Sequence, residues 1–223
     1  MTRERLTITL RGHEYVVPHV TEVCSVLTKG PGFEQWLVDL GSRARAVSRE
    51  ARDRGTTVHE AARMHLKGVP RLPGSEELVA EQCAALITKW IAANVTKVYF
   101  AEQPVYSRQW LYGGRPDLVC ELRDYPGRVC VVDYKTTRAD EVYPAWSAQV
   151  AAYCYSDEVQ AIERQDLLGA VLRIDWETLE EPVLTMVPNL KNEFQAFLHL
   201  LAVWNLLDKR KAVKIRAQVS SST

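Results

Sequence analysis

Apolar positions along the chain follow two regimes that change over near Lys97. Up to that point, helical spacing and strong helix formers mark Thr21 to Leu27, Phe33 to Leu40, roughly Arg43 to Arg52, Thr57 to Lys67 and Ser75 to Ala93. Breaks are expected at Lys29-Gly30-Pro31-Gly32, at Gly55 and in the loop from Gly68 to Gly74. Ahead of these helices, Leu6 to Leu10 and Tyr15 to Val17 alternate weakly around Gly12, as a short hairpin or extended arm would. After Lys97 the apolar runs shorten. Val98 to Tyr106, Asp117 to Arg123 and Arg128 to Lys135 read as strands, Ala145 to Glu158 as a helix, Leu168 to Trp176 and Val183 to Val187 as strands, and about Leu190 to Leu207 as an amphipathic closing helix. This order predicts an α/β fold of the mixed α+β kind, a central mixed β-sheet flanked by helices.

The segment Asp124-Tyr125-Pro126-Gly127 is a strong turn signal and makes the strands on either side of it a hairpin. If the hairpin is symmetric about Tyr125, Asp117 lies opposite Asp133, with Cβ atoms roughly 4.5–5.5 Å apart. Two carboxylates so placed repel unless a hard divalent cation sits between them, and carboxylate oxygens are the ligands Mg²⁺ prefers. Lys135 follows Asp133 by two positions and so points to the same face. Two acids and a lysine at the edge of a hairpin are what metal-assisted phosphodiester cleavage requires.

Composition narrows the setting. The 223 residues have charged and hydrophobic fractions near the globular average, and one domain over residues 1–208 with a basic and polar tail at 209–223 is the simplest organisation. Formal net charge is zero, so any attraction for nucleic acid must come from local patches. Arg43, Arg45, Arg49, Arg52 and Arg54 form one patch, and Lys209, Arg210, Lys211, Lys214 and Arg216 another; solvated helix faces are the alternative reading of each. Five cysteines are scattered without a CxxC pair and the N-terminus lacks a signal-peptide pattern, which points to a reduced, cytoplasmic protein. Cys120 and Cys130 alternate away from the acidic face and are expected to be small core residues. No apolar stretch is long enough to span a membrane.

A D-x-K triplet alone is weak, since a charged pair at a strand end is commonly a solvated edge or a salt bridge. Here it stands in a conjunction: Gly114-Arg115-Pro116-Asp117, Val131-Val132-Asp133-Tyr134-Lys135-Thr136, Gln149 with Tyr153, and upstream Gly55-Thr56-Thr57-Val58-His59. Over roughly Gly55 to Tyr153 the chain resembles the PD-(D/E)XK nuclease superfamily, in particular its RecB-like exonuclease branch. The resemblance implies a restriction-endonuclease-like core and Mg²⁺ or Mn²⁺ as cofactor. It implies that Asp117, Asp133 and Lys135 are catalytic, and that His59, Asp117, Asp133 and the backbone carbonyl of Tyr134 hold metal. It further implies that Gln149 and Tyr153 organise substrate and site. Relatives that carry an iron-sulfur cluster bracket this domain with cysteines, but Cys24 and Cys154 lack the needed companions, so no cluster is expected.

The residues themselves allow alternatives. Thr57-Val58-His59-Glu60 has the form of a capping box, which would make Glu60 structural and set His59 in a first helical turn, where the helix dipole favours a neutral ring. His13, His19, His65 and His199 are read as structural. Gln149 and Tyr153 share a helix face, and a tyrosine on a half-buried helix is more often a core residue than a functional one. Glu102, in the strand before the hairpin, is a further metal candidate. Arg115 either holds a phosphate or pairs with Asp124 or Glu121, while Arg45, Arg49 and Arg52 are candidate phosphate contacts. The expected activity is a metal-dependent deoxyribonuclease, in preference an exonuclease acting on DNA ends or single strands in recombination, repair or phage DNA processing. A restriction-type or structure-specific endonuclease and a catalytically inactive nucleic-acid-binding module are the competing readings. With no GxxxxGK[ST] loop in the chain, any helicase motor would be a separate partner, alongside a recombination protein or further copies of this chain.

Overall fold

The computed structural model describes residues 6–27, 38–68, 78–163 and 166–220, with side chains through residue 208. Most of the segment expected to be a helix from Phe33 to Leu40 lies outside these residues, as do most of the Gly68 to Gly74 loop and the side chains of the C-terminal basic cluster.

Strands β1 (Leu6–Leu10) and β2 (His13–Val17) form the expected antiparallel hairpin, closed by Arg11 and Gly12, both at positive φ. This is the backbone of a two-residue hairpin turn. A short helix α1 (Val20–Cys24) follows. The region expected to hold two helices broken at Gly55 is one continuous helix, α2 (Ala44–Leu66), which precedes α3 (Leu78–Asn94). Gly55 does not end it. A Cβ there would meet Thr136 Oγ1 at 3.6 Å, an ordinary contact, and the burial of Val58, Ala61 and Ala62 against the sheet carries the helix through the weak position.

The main sheet has five strands in the order β3 (Val95–Ala101), β6 (Leu118–Leu122), β7 (Arg128–Thr136), β8 (Asp166–Ile174), β9 (Val183–Met186). Only β7 and β8 are parallel, and helix α4 (Pro144–Cys154) lies between them in sequence, as a parallel connection requires. A small second sheet pairs β4 (Val105–Ser107) with β5 (Tyr112–Gly114). The single strand expected from Val98 to Tyr106 is therefore two strands in different sheets. The chain changes sheet at Glu102, whose φ of 51° is left-handed, and the following Gln103-Pro104 carries it to Val105, which pairs with Gly114. The helix expected from Ala145 to Glu158 likewise divides into α4 and the short α5 (Asp157–Gln160). The closing helix α6 (Leu190–Ser220) runs on past Leu207 and takes in the C-terminal basic segment.

Strand β7 shows how the pattern builds the layers. Val129 and Val131 face α1, α4 and α6, whereas Cys130, Val132 and Tyr134 face α2 and α3. Both faces are covered, which is why Val129 to Val132 is apolar without alternation; each such side chain contributes about 1.5–3 kcal/mol by leaving water. Cys120 and Cys130 are cross-strand partners, fully buried on the α2/α3 face, as expected of small core residues.

Candidate active site

The β6–β7 register pairs Leu118 with Val132 and Cys120 with Cys130, which is the symmetry about Tyr125 expected from the turn. The turn is closed by Arg128 N–H donating to the Tyr125 carbonyl at 3.2 Å, with Gly127 at φ +73°. This is a type II turn, with Pro126 and Gly127 at its two central positions. Asp117 and Asp133 thereby reach the same end of the sheet, nearly buried at 4% and 1% exposure.

Buried carboxylates are costly unless each finds compensation, and here each has its own. Asp117 Oδ2 accepts the Tyr134 backbone N–H at 2.6 Å, and its Oδ1 accepts from His59 Nδ1 at 2.8 Å. Asp133 Oδ1 accepts from Gln149 Nε2 at 2.8 Å, and Lys135 Nζ comes within 2.6 Å of Oδ2. Lys135 is thus the partner of the buried Oδ2. Gln149 is the bridge: its Oε1 accepts from Lys135 Nζ at 3.2 Å while its amide also donates to Tyr153 Oη at 3.3 Å. Tyr153 packs in the core and reaches the site with its hydroxyl. Burial raises the Asp133 pKa to about 6; Lys135 opposes the rise and Asp117 adds to it.

Glu102 joins from the sheet change. Its backbone N–H donates to the Pro116 and Asp117 carbonyls at 3.1 and 3.2 Å, which holds the left-handed turn, and its Oε1 lies 3.7 Å from His59 Nδ1. Ligand atoms of His59, Glu102 and Asp117 all fall within 4.8 Å of one another. Left-handed backbone at a non-glycine residue costs about 1–3 kcal/mol and is retained where surroundings enforce it.

His59 is placed differently from the expectation. It lies in the interior of α2, not in a first turn; Thr57 Oγ1 donates to the Asp53 carbonyl instead of capping, and Glu60 pairs with Arg63. The dipole argument for a neutral ring therefore fails. Burial does favour the neutral form, but Asp117, through charge and hydrogen bond, and Glu102 outweigh it and push the His59 pKa up to about 10. The carboxylates around His59 thus favour its protonated form.

The donors nonetheless fit a divalent ion. Two carboxylates and an imidazole converge, a third carboxylate, Asp133, lies beside them, and no cysteine is among them. Such a donor set is suited to a divalent metal ion.

Around these groups a cavity of about 800 Å³ is lined by residues that include Arg52, Arg63, Arg115, Tyr143 and Trp146. Arg45 and Arg49 are exposed farther back on α2. The spacing 45, 49, 52, 56, 59, 63 sets Arg45, Arg49, Arg52 and His59 along one stripe of that helix. The other histidines have structural partners or lie apart from the cavity; His65 Nε2 sits 3.2 Å from Glu81 Oε2 and its Nδ1 3.3 Å from Thr88 Oγ1, tying α2 to α3.

Sequence reasoning missed three contributors: the Tyr134 amide, Arg63, and the pair Tyr143 and Trp146. The pair had a signal, since Tyr143-Pro144 starts the helix that carries Gln149, and Trp146 lies one turn before Gln149.

No protein-family model and no curated protein matches the chain. Among solved structures, the alkaline exonuclease LHK-Exo from Laribacter hongkongensis aligns at 15% identity and a TM-score of 0.39, over 88% of this chain and 93% of that one. The same enzyme in complex with dAMP aligns at 15% identity and 0.40, over 89% and 94%. A protein described as a candidate exonuclease from Eubacterium rectale aligns at 15% identity and 0.40, over 68% and 63%. Similarity at this level carries no functional argument, and the chemistry of the site rests on its own side chains.

Proposed function

We propose that the chain is a divalent-metal-dependent deoxyribonuclease, in preference an exonuclease working from DNA ends or on single strands in recombination, repair or phage DNA processing. The observation that carries this reading is the convergence of His59, Glu102 and Asp117 within 4.8 Å beside the Asp133–Lys135 pair. Asp117, Asp133, His59, Glu102 and the Tyr134 carbonyl would hold Mg²⁺ or Mn²⁺. A bound ion of this kind supplies Lewis acidity toward a phosphate oxygen.

The remaining work falls to the chain. Lys135 brings a fixed positive charge to the place where negative charge develops as the phosphodiester is attacked. Gln149 holds Lys135 and Asp133 in one arrangement, and Tyr153 fixes Gln149 from behind. Arg52 and Arg115 on the cavity wall contact phosphates flanking the scissile one, with Arg45 and Arg49 extending the track along α2. The nuclease domain is taken as residues 1–208. Among the described residues no helix is long and apolar enough to cross a membrane, and a cytoplasmic setting with DNA as partner accords with the proposed substrate.

The test is incubation of purified protein with end-labelled linear, circular, single-stranded and duplex DNA in Mg²⁺, Mn²⁺ or chelator. Chelator-sensitive loss of label from linear DNA, with closed circles spared, is the expected result. Cleavage of closed circles would replace the exonuclease reading with an endonuclease, and no cleavage with either ion would remove the nuclease reading.

A further inference from the structure

Part of the cavity lining is aromatic. Tyr143 and Trp146, at the start of α4, meet edge to face with ring centroids 4.6 Å apart at 79°. Tyr143 is 40% exposed, large for a ring that lines a cavity, while Trp146 is partly buried against the core and so is held in place. Lys135 Nζ lies 5.9 Å from the centre of the Trp146 ring. Lys135, whose ammonium faces Asp133, thus sits over the Trp146 ring, and Tyr143 is the exposed ring of the corner.

We propose that the Tyr143–Trp146 corner is a stacking platform for the base of an unpaired nucleotide adjoining the phosphate at the site. The inference rests on the nuclease reading and names the form of substrate it takes. A base inside a duplex has both faces covered by its neighbours, so a ring can stack on it only after it leaves the helix, whereas an unpaired end offers a free face at small cost. Base-aromatic stacking tolerates any base because each has a π-face. The platform therefore selects strand state and not sequence, and Lys135 sets which phosphate falls beside the acids.

The experiment is a binding scan in chelator, where cleavage does not interfere. Short single-stranded oligodeoxynucleotides carry one abasic nucleotide at each position in turn, and affinity is read by fluorescence anisotropy for wild type, Trp146→Phe, Trp146→Ala and Tyr143→Ala, with thermal unfolding as a check on folding. One abasic position should weaken wild-type binding by about 5- to 150-fold. Trp146→Phe should keep that sensitivity, and Trp146→Ala and Tyr143→Ala should reduce it, because removing the base and removing the ring abolish the same interaction. Should Trp146→Ala fail to fold, the comparison of Trp146→Phe with Tyr143→Ala decides. A wild type that cleaves DNA with Mg²⁺ yet binds every abasic oligonucleotide equally overturns the platform and leaves the nuclease reading standing. Equal abasic penalties in Tyr143→Ala and wild type overturn it as well. Absence of both cleavage and binding removes the two together.

Discussion

Replacing Gly114 with alanine tests how the first acid is seated against the helix that carries Gln149. A Cβ at position 114 would lie 2.5 Å from Tyr153 Cε1, 3.3 Å from Val20 Cγ2 and 3.4 Å from Tyr153 Cζ. Carbon atoms are at ease from about 3.5 Å outward, so the Tyr153 ring must retreat by about 1 Å. Gly114 is not among the residues at positive φ, so alanine is permitted by the backbone and the cost is steric alone. Overpacking of this kind costs about 1–3 kcal/mol. For a domain of this size the melting temperature should fall by about 2–12 °C. Activity should fall with it, because Tyr153 Oη, Gln149, Asp133 and Lys135 form one connected set. The assay is thermal unfolding of Gly114→Ala, Tyr153→Ala and the double variant, beside a nuclease assay. Once the ring is gone, the alanine at 114 should cost almost nothing, so the double variant should resemble Tyr153→Ala. A Gly114→Ala protein with wild-type melting, or full additivity in the double variant, would refute the reasoning.

Further outcomes follow from the same geometry. Asp133→Ala and Lys135→Ala should both abolish cleavage, but calorimetric metal titration should show affinity lost in the first and largely kept in the second; wild-type turnover in either sinks the assignment. Without metal, the His59 pair with Asp117 should stabilise the fold fully below about pH 6.5, the unfolded-state value, and lose that contribution as pH rises through about 10, the folded-state value. Denaturant unfolding of wild type and His59→Gln from pH 6 to 11 reads this as a difference that narrows at high pH, and a constant difference would contradict it. Charge reversal at Arg45, Arg49 and Arg52 together should weaken DNA binding and flatten its salt dependence by roughly 0.7–0.9 log units for each phosphate that is no longer neutralised. Deletion after Lys211 should do less, and the opposite ranking would place the DNA track on α6. Cys24, Cys83 and Cys120, whose thiols burial pushes up to about 12, 11 and 12, should react with a thiol reagent only on global unfolding, which mass spectrometry of labelled protein checks.

The hairpin was legible in the sequence because Pro126 and Gly127 mark a turn between two strand-like runs, whose register, from Cys120 with Cys130 to Leu118 with Val132, ends next to Asp117 and Asp133. Lys135 followed from the strand period, Gln149 from the resemblance, and the helix period added only that Gln149 and Tyr153 share a face. What was not legible depended on tertiary competition. Gly55 and the apparent cap at Thr57 are helix-breaking signals on local grounds, yet burial of Val58, Ala61 and Ala62 overrides them. The Val98 to Tyr106 segment is uniformly strand-like in composition, and nothing in it announces the left-handed turn at Glu102, which two carbonyls from Pro116 and Asp117 impose from outside. The charge of His59 could not be judged without knowing that Asp117 and Glu102 both face it.

The uninterrupted helix α2 has a consequence for length. With a rise of 1.5 Å per residue, Arg45 and His59 are about 21 Å apart along a single stiff rod. On the function proposed above, that rod acts as a ruler laid along the DNA. At about 3.4 Å per nucleotide of one strand, the distal arginine meets the backbone about six nucleotides from the metal-binding end. A strand digested below that length lets go of Arg45 first, then Arg49, so the grip loosens in steps of about one helical turn each. The shortest products should therefore mark where the ruler ends.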